Sequence, residues 1–174
     1  MIPIAILCGG YGTRSQQPIN KCFVDVAGKP FILHIMEQYE SQGHHTFVLC
    51  RGTNGTLNAL RDARDQLGEK FIVSYGDTYL PVNVNDFIKQ WETRKTPAVT
   101  ATYDNIDAGI NGFMTHTLDM CDESVSDLKV LQQELKARAM MYHYPAPLPW
   151  QETGTPSALA QTRKAFSASS SYWR

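Results

Sequence analysis

The segment ILCGGYGTRSQQPINK, residues 6–21, joins an apolar run to a glycine-rich turn that carries an arginine and a lysine. The full run, IPIAILC, is apolar throughout, which is typical of a strand buried on both faces of a parallel sheet. Glycines allow the backbone to approach a ligand closely and to direct several N–H groups at it, which suits a phosphate. The segment therefore predicts a first core strand followed by a phosphate-binding loop.

Helices and strands alternate after this strand, as judged from the period of the apolar residues. Predicted helices cover residues 29–43 and 56–68, and predicted core strands cover residues 45–50 and 70–77. With right-handed crossovers, this alternation predicts a single-domain, Rossmann-like α/β fold, whose sheet is mixed but mostly parallel and carries helices on both faces. Because ligands bind at the C-terminal ends of the strands in such sheets, Asp77 should lie near the glycine-rich turn.

The second half of the chain continues the series. Its predicted elements are helices over residues 84–94, 124–139 and 157–166, a strand over residues 97–104, and a glycine-containing strand or turn over residues 108–115. We expect Ser124 or Ser126 to cap the second of these helices and Pro156 to begin the third. No linker or repeat divides the chain, so we predict one domain over residues 1–168 and a flexible tail over residues 169–174.

The composition argues against several classes of protein. The chain has 174 residues and a formal net charge of −1, which produces no field that would gather nucleic acid or anionic lipid, so neither is an expected partner. No apolar run approaches the roughly 20 residues that a membrane-spanning helix requires. The four cysteines are widely spaced, with no C-x-x-C pair and no secretory leader, which predicts free thiols and a cytoplasmic location.

Two familiar phosphate-binding motifs do not fit the glycine-rich turn. A Walker A loop requires a lysine directly after its last glycine, and a dinucleotide fingerprint requires a third glycine where this chain has Ser15. The turn instead reads G-G-x-G-T-R, followed by a lysine. Its members are Gly9, Gly10, Gly12, Thr13, Arg14 and Lys21.

This signature, with VAGKP at residues 26–30, resembles that of the sugar-1-phosphate nucleotidyltransferases, or nucleotide-sugar pyrophosphorylases. Further elements that resemble motifs of this family follow in the same order along the chain. They are GTNGTLNAL (residues 52–60), FIVSYGDTYL (71–80), IDAGINGF (106–113) and WQETGTPSALAQT (150–162). Within the family, the chain is most similar to the short heptose-1-phosphate guanylyltransferase-like and muramate-1-phosphate uridylyltransferase-like enzymes.

The resemblance implies an enzyme that converts a nucleoside triphosphate and a sugar 1-phosphate to an NDP-sugar and pyrophosphate, with Mg²⁺ as cofactor. Arg14 would hold the β,γ-phosphates that leave, Lys21 would neutralise the α-phosphate, and both would be catalytic. Asp77 and Glu152 would share the metal. Implied nucleotide contacts are Leu7, Gly9, Gly10, Gly12, Thr13, Gly52, Thr53, Gly55 and Gly76, and implied sugar contacts are Asp107, Gly109 and Asn111.

Each of these assignments has a simpler structural alternative. Arg14 and Lys21 could be solvated surface cations, and Asp77 could be a turn residue after a glycine. Glu152 could be a residue that a helix N-terminus favours, and the glycines after residue 51 could simply form a turn into a helix. Gly109 could simply mark a bulge in a strand. The residues alone leave these alternatives open.

The chain also departs from the family pattern in two places. A long stretch is absent before GTNGT, and the segment before the A-G-I element lacks the Glu-Lys-Pro lysine that binds the sugar phosphate in many members. A second hypothesis is therefore a non-catalytic or regulatory nucleotide-binding module that has lost part of the sugar-phosphate site. The base, the sugar and the oligomeric state stay open, and a homodimer is one option. A phosphatase or sugar kinase is disfavoured, because the chain lacks a nucleophilic D-x-D and a Walker lysine.

Overall fold

The structure, a computed structural model, describes residues 2–9, 20–52 and 54–168. The predicted tail, residues 169–174, lies outside these ranges. In the described ranges the strands are β1 (Ile4–Leu7), β2 (Asp25–Val26), β3 (Lys29–Pro30), β4 (Phe47–Cys50), β5 (Lys70–Tyr75), β6 (Thr78–Tyr79), β7 (Ala98–Tyr103), β8 (Ile106–Met114), β9 (Met141–Pro145) and β10 (Gln151–Glu152). The α-helices there are α1 (Phe31–Glu40), α2 (Thr56–Asp62), α3 (Arg64–Leu67), α4 (Val84–Arg94), α5 (Leu128–Ala137) and α6 (Pro156–Ala168).

A six-stranded sheet in the order β4-β1-β5-β8-β7-β9 forms the centre. Strand β1 pairs parallel with β4 and β5, and β7 pairs parallel with β9. Strand β8 runs antiparallel to both of its neighbours, β5 and β7. The sheet is thus mixed and mostly parallel, as the alternation of helices and strands predicts.

Both faces of the sheet are covered, and β1 shows why its sequence is apolar at every position. Ile4 and Ile6 pack into one hydrophobic cluster, which contains Ile35 of α1 and Phe87 of α4. The intervening residues, Ala5 and Leu7, pack into a second cluster with buried side chains of α2 and α5. Because successive side chains of a strand point to opposite faces, a strand between two helical layers needs apolar residues throughout.

Several boundaries differ from the sequence prediction. The helix predicted over residues 56–68 is divided at Ala63 into α2 and α3, although it does end at Gly68, whose φ is 64°. The cap of α5 is Asp127, whose carboxylate accepts from the N–H of Lys129, so the prediction of Ser124 or Ser126 was wrong. Pro156 begins α6, as expected.

Two further features bear on the class of protein. No helix among the described residues combines the length and the apolar character that a bilayer span requires. All four cysteines are free thiols, as predicted from their spacing.

Candidate active site

A cavity of about 270 Å³ opens at the C-terminal ends of β1 and β5. These strands are neighbours, and their last residues, Leu7 and Tyr75, are register partners. The described residues that line the cavity are Leu7, Gly9, Asn20, Lys21, Cys22, Thr56, Tyr75 and Asp77. The edge of the sheet that the fold class predicts for a ligand therefore carries a concave site.

An ion pair crosses this cavity. The Lys21 Nζ atom lies 3.1 Å from Asp77 Oδ2, and the two side chains retain 27% and 30% of their exposure. The two residues lie 56 positions apart in the sequence and meet at one site, while their catalytic and metal-binding roles stay predictions. An ammonium group on a flexible stem and a carboxylate, both reachable from solvent, are groups that can exchange partners when a charged ligand enters.

Asn20 holds the backbone in front of Lys21. Its amide Nδ2 donates to the carbonyl of Cys8 over 2.7 Å, and its Oδ1 accepts from the N–H of Cys22 over 3.0 Å. The second bond caps the short 3-10 turn over Lys21–Phe23. Asn20 therefore connects the end of β1 to the turn that presents the lysine.

Cys22 also lines the cavity, but its thiol is not a candidate nucleophile. Burial, followed by the negative charge of Asp77, raises the pKa of Cys22 to about 12. Since the thiolate is the reactive form of cysteine, a neutral thiol at physiological pH is unreactive. The site thus favours positioning and charge chemistry over a covalent thiol intermediate.

Close packing explains two of the predicted glycines, Gly9 and Gly76. A Cβ at Gly9 would lie 2.3 Å from the carbonyl oxygen of Gly52, and one at Gly76 would lie 2.7 Å from the Sγ of Cys22. Such distances are below any ordinary contact, so these positions exclude a side chain. The glycines allow the segments around the cavity to approach one another. Because glycine has no side chain, it also allows the backbone to approach a nucleotide closely.

The element GTNGT meets the cavity through Thr56. Gly55 has a φ of 89°, and a Cβ there would lie 2.4 Å from the carbonyl of Ser126, so this glycine makes a tight turn against the segment before α5. The Oγ1 of Thr56 accepts from the N–H of Leu128 over 2.9 Å. The structure thus contains the turn that was the simpler alternative to a nucleotide contact. The element GTNGT nevertheless reaches the cavity, because Thr56 lines it.

Five of the predicted site residues lie outside the described residues. They are Gly10, Gly12, Thr13, Arg14 and Thr53. Their roles stay predictions.

The predicted sugar residues form an interior network behind Tyr75. The hydroxyl of Tyr75 donates to Asp107 Oδ2 over 3.1 Å, and the amide of Gln132 donates to the same oxygen over 2.8 Å. Gln132 also donates to Asn111 Oδ1, and Asn111 is fully buried. Burial, followed by the charge of Asp107, raises the pKa of the Tyr75 hydroxyl, so that it remains a donor. The network holds one wall of the cavity.

Gly109 lies at an irregularity of β8. The pairing with β7 shifts between Thr100, which faces Asn111, and Thr102, which faces Asp107, so β8 carries extra residues here. Gly109 has a φ of 90°, which an L side chain rarely adopts. The bulge interpretation of Gly109 is confirmed, and contact of Asp107, Gly109 and Asn111 with a sugar stays a prediction.

Glu152 is adjacent to Asp77 through the backbone, but its side chain has a different partner. Strand β10 pairs with β6, and the N–H of Thr153 donates to the carbonyl of Asp77 over 3.0 Å. The Glu152 carboxylate accepts from the indole of Trp150 over 3.4 Å and borders a second cavity, of about 230 Å³. No group of three or more His, Cys, Asp and Glu side chains in the described ranges is arranged to hold a metal. A metal shared by Asp77 and Glu152 stays a prediction.

Four residues of the cavity were not predicted from the sequence: Asn20, Cys22, Thr56 and Tyr75. Asn20 had a usable signal, since Asn is a favoured N-cap and directly precedes a predicted functional lysine. Thr56 stood within a quoted motif, at the start of a predicted helix. Tyr75 ends a buried strand beside Asp77, where a tyrosine with a hydroxyl to satisfy is informative.

Comparisons with known proteins agree with these features. Residues 4–66 match the model of the MobA-like NTP transferase domain. A probable glucose-1-phosphate cytidylyltransferase of Bacillus subtilis (strain 168) is 26% identical over an alignment of 152 positions, gaps included, and the match covers 58% of this chain and 60% of that protein. The chain thus spans less than two thirds of that relative.

Solved structures share the fold. HddC from Yersinia pseudotuberculosis, complexed with GMP-PN, superposes with a TM-score of 0.79 at 19% identity, over 95% of this chain and 100% of that chain. A putative glucose-1-phosphate thymidylyltransferase from Bacillus anthracis, in complex with a sucrose, gives a TM-score of 0.81 at 13% identity, over 95% of each chain. The sequence matches and the shared fold together confirm that the chain resembles the sugar-1-phosphate nucleotidyltransferase family.

Proposed function

We propose that this chain transfers a nucleotidyl group from a nucleoside triphosphate to a sugar 1-phosphate, and so forms an NDP-sugar and pyrophosphate. The single observation that carries this proposal is the Lys21–Asp77 pair, 3.1 Å apart in a cavity at the C-terminal ends of β1 and β5. A lysine and a carboxylate that metal can bind are the groups that a triphosphate needs at its α-phosphate. The sequence match to an NTP transferase domain covers both β1 and Lys21.

In the proposed reaction an oxygen of the sugar phosphate attacks the α-phosphorus in line. A new P–O bond forms, the bond between the α-phosphorus and the bridging oxygen breaks, and pyrophosphate leaves with that electron pair. The nucleophile is already an anion, so the enzyme needs no strong general base. Catalysis therefore depends on positioning and on neutralising charge.

Lys21 is the residue of the described cavity that would neutralise the α-phosphate. Its ammonium group is a compact charge on a flexible stem, so it can turn from Asp77 to a phosphate oxygen without movement of the backbone. The backbone itself is held by Asn20. Arg14, which follows the glycines of the turn, is proposed to hold the β,γ-phosphates with its fork of donors.

Asp77 fits a divalent cation, and we propose Mg²⁺. This metal prefers oxygen ligands and is bound in such enzymes through one or two carboxylates plus phosphate oxygens. Asp77 supplies a solvent-reachable carboxylate at the cavity, and Glu152 is the proposed second ligand, one residue from the Thr153 N–H that contacts Asp77. When bound, the metal would neutralise phosphate charge.

The second ligand has its own test. If Glu152 shares the metal, Glu152→Gln should raise the Mg²⁺ concentration for half-maximal activity about tenfold, since one anionic ligand becomes neutral. The measurement is a Mg²⁺ titration of pyrophosphate release. An unchanged Mg²⁺ requirement would leave Asp77 as the sole carboxylate ligand of the pair.

Pyrophosphate release tests the reaction directly. The purified chain is incubated with each of the four common NTPs and a panel of sugar 1-phosphates, with Mg²⁺ or with EDTA. We expect release that requires one NTP, an acceptor and Mg²⁺ together. Binding of an NTP without release, seen as a raised Tm in a thermal-shift panel, would favour the non-catalytic nucleotide-binding module instead.

The cellular setting belongs to the same proposal. Four free thiols, three of them buried, fit a reducing compartment, and we place the reaction in the cytoplasm. Nucleic acid and membrane lipid are not proposed as partners. A homodimer stays a prediction that light scattering coupled to gel filtration would check.

A further inference from the structure

A buried threonine joins the two segments that carry the ion pair. Thr153 has no exposed surface. Its N–H donates to the carbonyl of Asp77 over 3.0 Å, and its hydroxyl donates to the carbonyl of Lys21 over 3.1 Å. One residue therefore satisfies the main-chain carbonyls of both members of the pair.

Thr153 is itself held in place from both sides. Glu152, before it, pairs with Thr78 in the ribbon of β10 and β6. The carbonyl of Glu152 also accepts from the hydroxyl of Thr162 in α6, over 2.7 Å. The donors of Thr153 thus come from a backbone that is fixed to the ribbon and to a helix, so they can impose a position on the segments they contact.

We propose that Thr153 is a positioning residue, which sets the placement of Lys21 relative to Asp77. This inference rests on the proposed function, in which these two side chains act on the same phosphate and metal. Lys21 lies in a turn of three residues, and Asp77 lies between β5 and β6, so neither belongs to a long regular element. A shift of about 1 Å in a reacting group can lower a rate about a hundredfold. A link that holds the two backbone segments at a fixed separation would therefore help to keep Lys21 and Asp77 in the reactive arrangement.

A purely structural role is the competing interpretation, because any buried hydroxyl that loses its partner destabilises a protein. Thr117 provides the matched control. It is also fully buried, and its hydroxyl donates to the carbonyl of Met114 over 2.7 Å. Met114 pairs with Lys70 at the N-terminal end of β5, the end away from the cavity.

The experiment compares Thr153→Val, Thr153→Ser and Thr117→Val. Valine keeps the shape of threonine and removes the hydroxyl, whereas serine keeps the hydroxyl. We expect Thr153→Val to lower kcat about tenfold with little change in KM, and Thr153→Ser to keep most of the wild-type kcat. Thr117→Val should lower the Tm about as much as Thr153→Val does, but leave kcat unchanged. Thr153→Ala, which also removes the hydroxyl, replaces the valine variant if that variant does not fold.

Two outcomes would overturn the proposal: an unchanged kcat in folded Thr153→Val or Thr153→Ala, or an equal loss of kcat in Thr117→Val. Its failure is separable from failure of the proposed function. If the wild-type chain releases no pyrophosphate with any NTP, the proposed function fails, and the EPR spectrum of Mn²⁺ bound with a non-hydrolysable NTP analogue tests Thr153 instead. We then expect the spectrum, which reports the geometry around the metal, to differ from that of the wild type in Thr153→Val alone, and identical spectra in all variants would end the proposal.

Discussion

Replacement of Asp77 by asparagine is expected to lower kcat/KM for nucleotidyl transfer by about a hundredfold or more, and to leave the protein folded. The change removes the carboxylate that we propose for the metal, at almost constant volume. It also removes the partner of Lys21, but both side chains are about one third exposed, so the lost pair should cost at most about 1 kcal/mol of folding free energy. Steady-state pyrophosphate release and urea unfolding measure the two effects.

Asp119→Asn is the control for this change. Asp119 forms an ion pair with Arg64 on the surface, where the side chains are 58% and 41% exposed. It lies outside the residues that line the candidate active site. We expect its loss to leave kcat/KM unchanged. Unchanged activity or unchanged Mg²⁺ dependence in Asp77→Asn would remove Asp77 from the proposed chemistry.

Gly9→Ala is expected to produce the largest loss of stability among single changes at the cavity, about 2–3 kcal/mol, together with loss of nucleotide binding. The new methyl would lie 2.3 Å from the carbonyl oxygen of Gly52 and 2.9 Å from the carbonyl carbon of Arg51. Both contacts are with main chain, which cannot rotate away as a side chain can. The backbone at the ends of β1 and β4 would have to separate, and urea unfolding measures the cost.

Gly154→Ala is the matched control for the steric argument. A Cβ at Gly154 meets no heavy atom within 4 Å, and Gly154 has no positive φ. We therefore expect its unfolding free energy to stay within about 0.5 kcal/mol of wild type. If Gly9→Ala is as stable as Gly154→Ala, the close approach of the two backbone segments is not a feature of the folded protein.

The fold was largely predictable because its signals are local. The apolar run of β1 indicated burial on both faces, and α4 occupies the range that its helical period predicted. The two-residue strands β6 and β10 are too short to have a period, and β9 contains an exposed His143 and ends at Pro145, so these strands were missed. Ser126 was a reasonable cap by residue type, but its neighbour Asp127 has the side chain that meets the helix.

The candidate site was predictable in its members rather than in its contacts. Lys21 and Asp77 were selected by their motifs, and the structure brings them together across 56 positions. The role of Asp107 in holding Tyr75 was not predictable, since it depends on β8 lying beside β5.

The sequence by itself determined the α/β class, the strands buried on both faces and the residues with the right chemistry, because periodicity, glycine freedom and charge are properties of short segments. The tertiary structure alone decided which of those residues meet. Thr153 contacts Lys21 from 132 positions away, and Glu152 beside it is engaged with Trp150. Such partnerships follow from how crossovers and strand register bring distant segments to one edge of a sheet, and no local pattern records them.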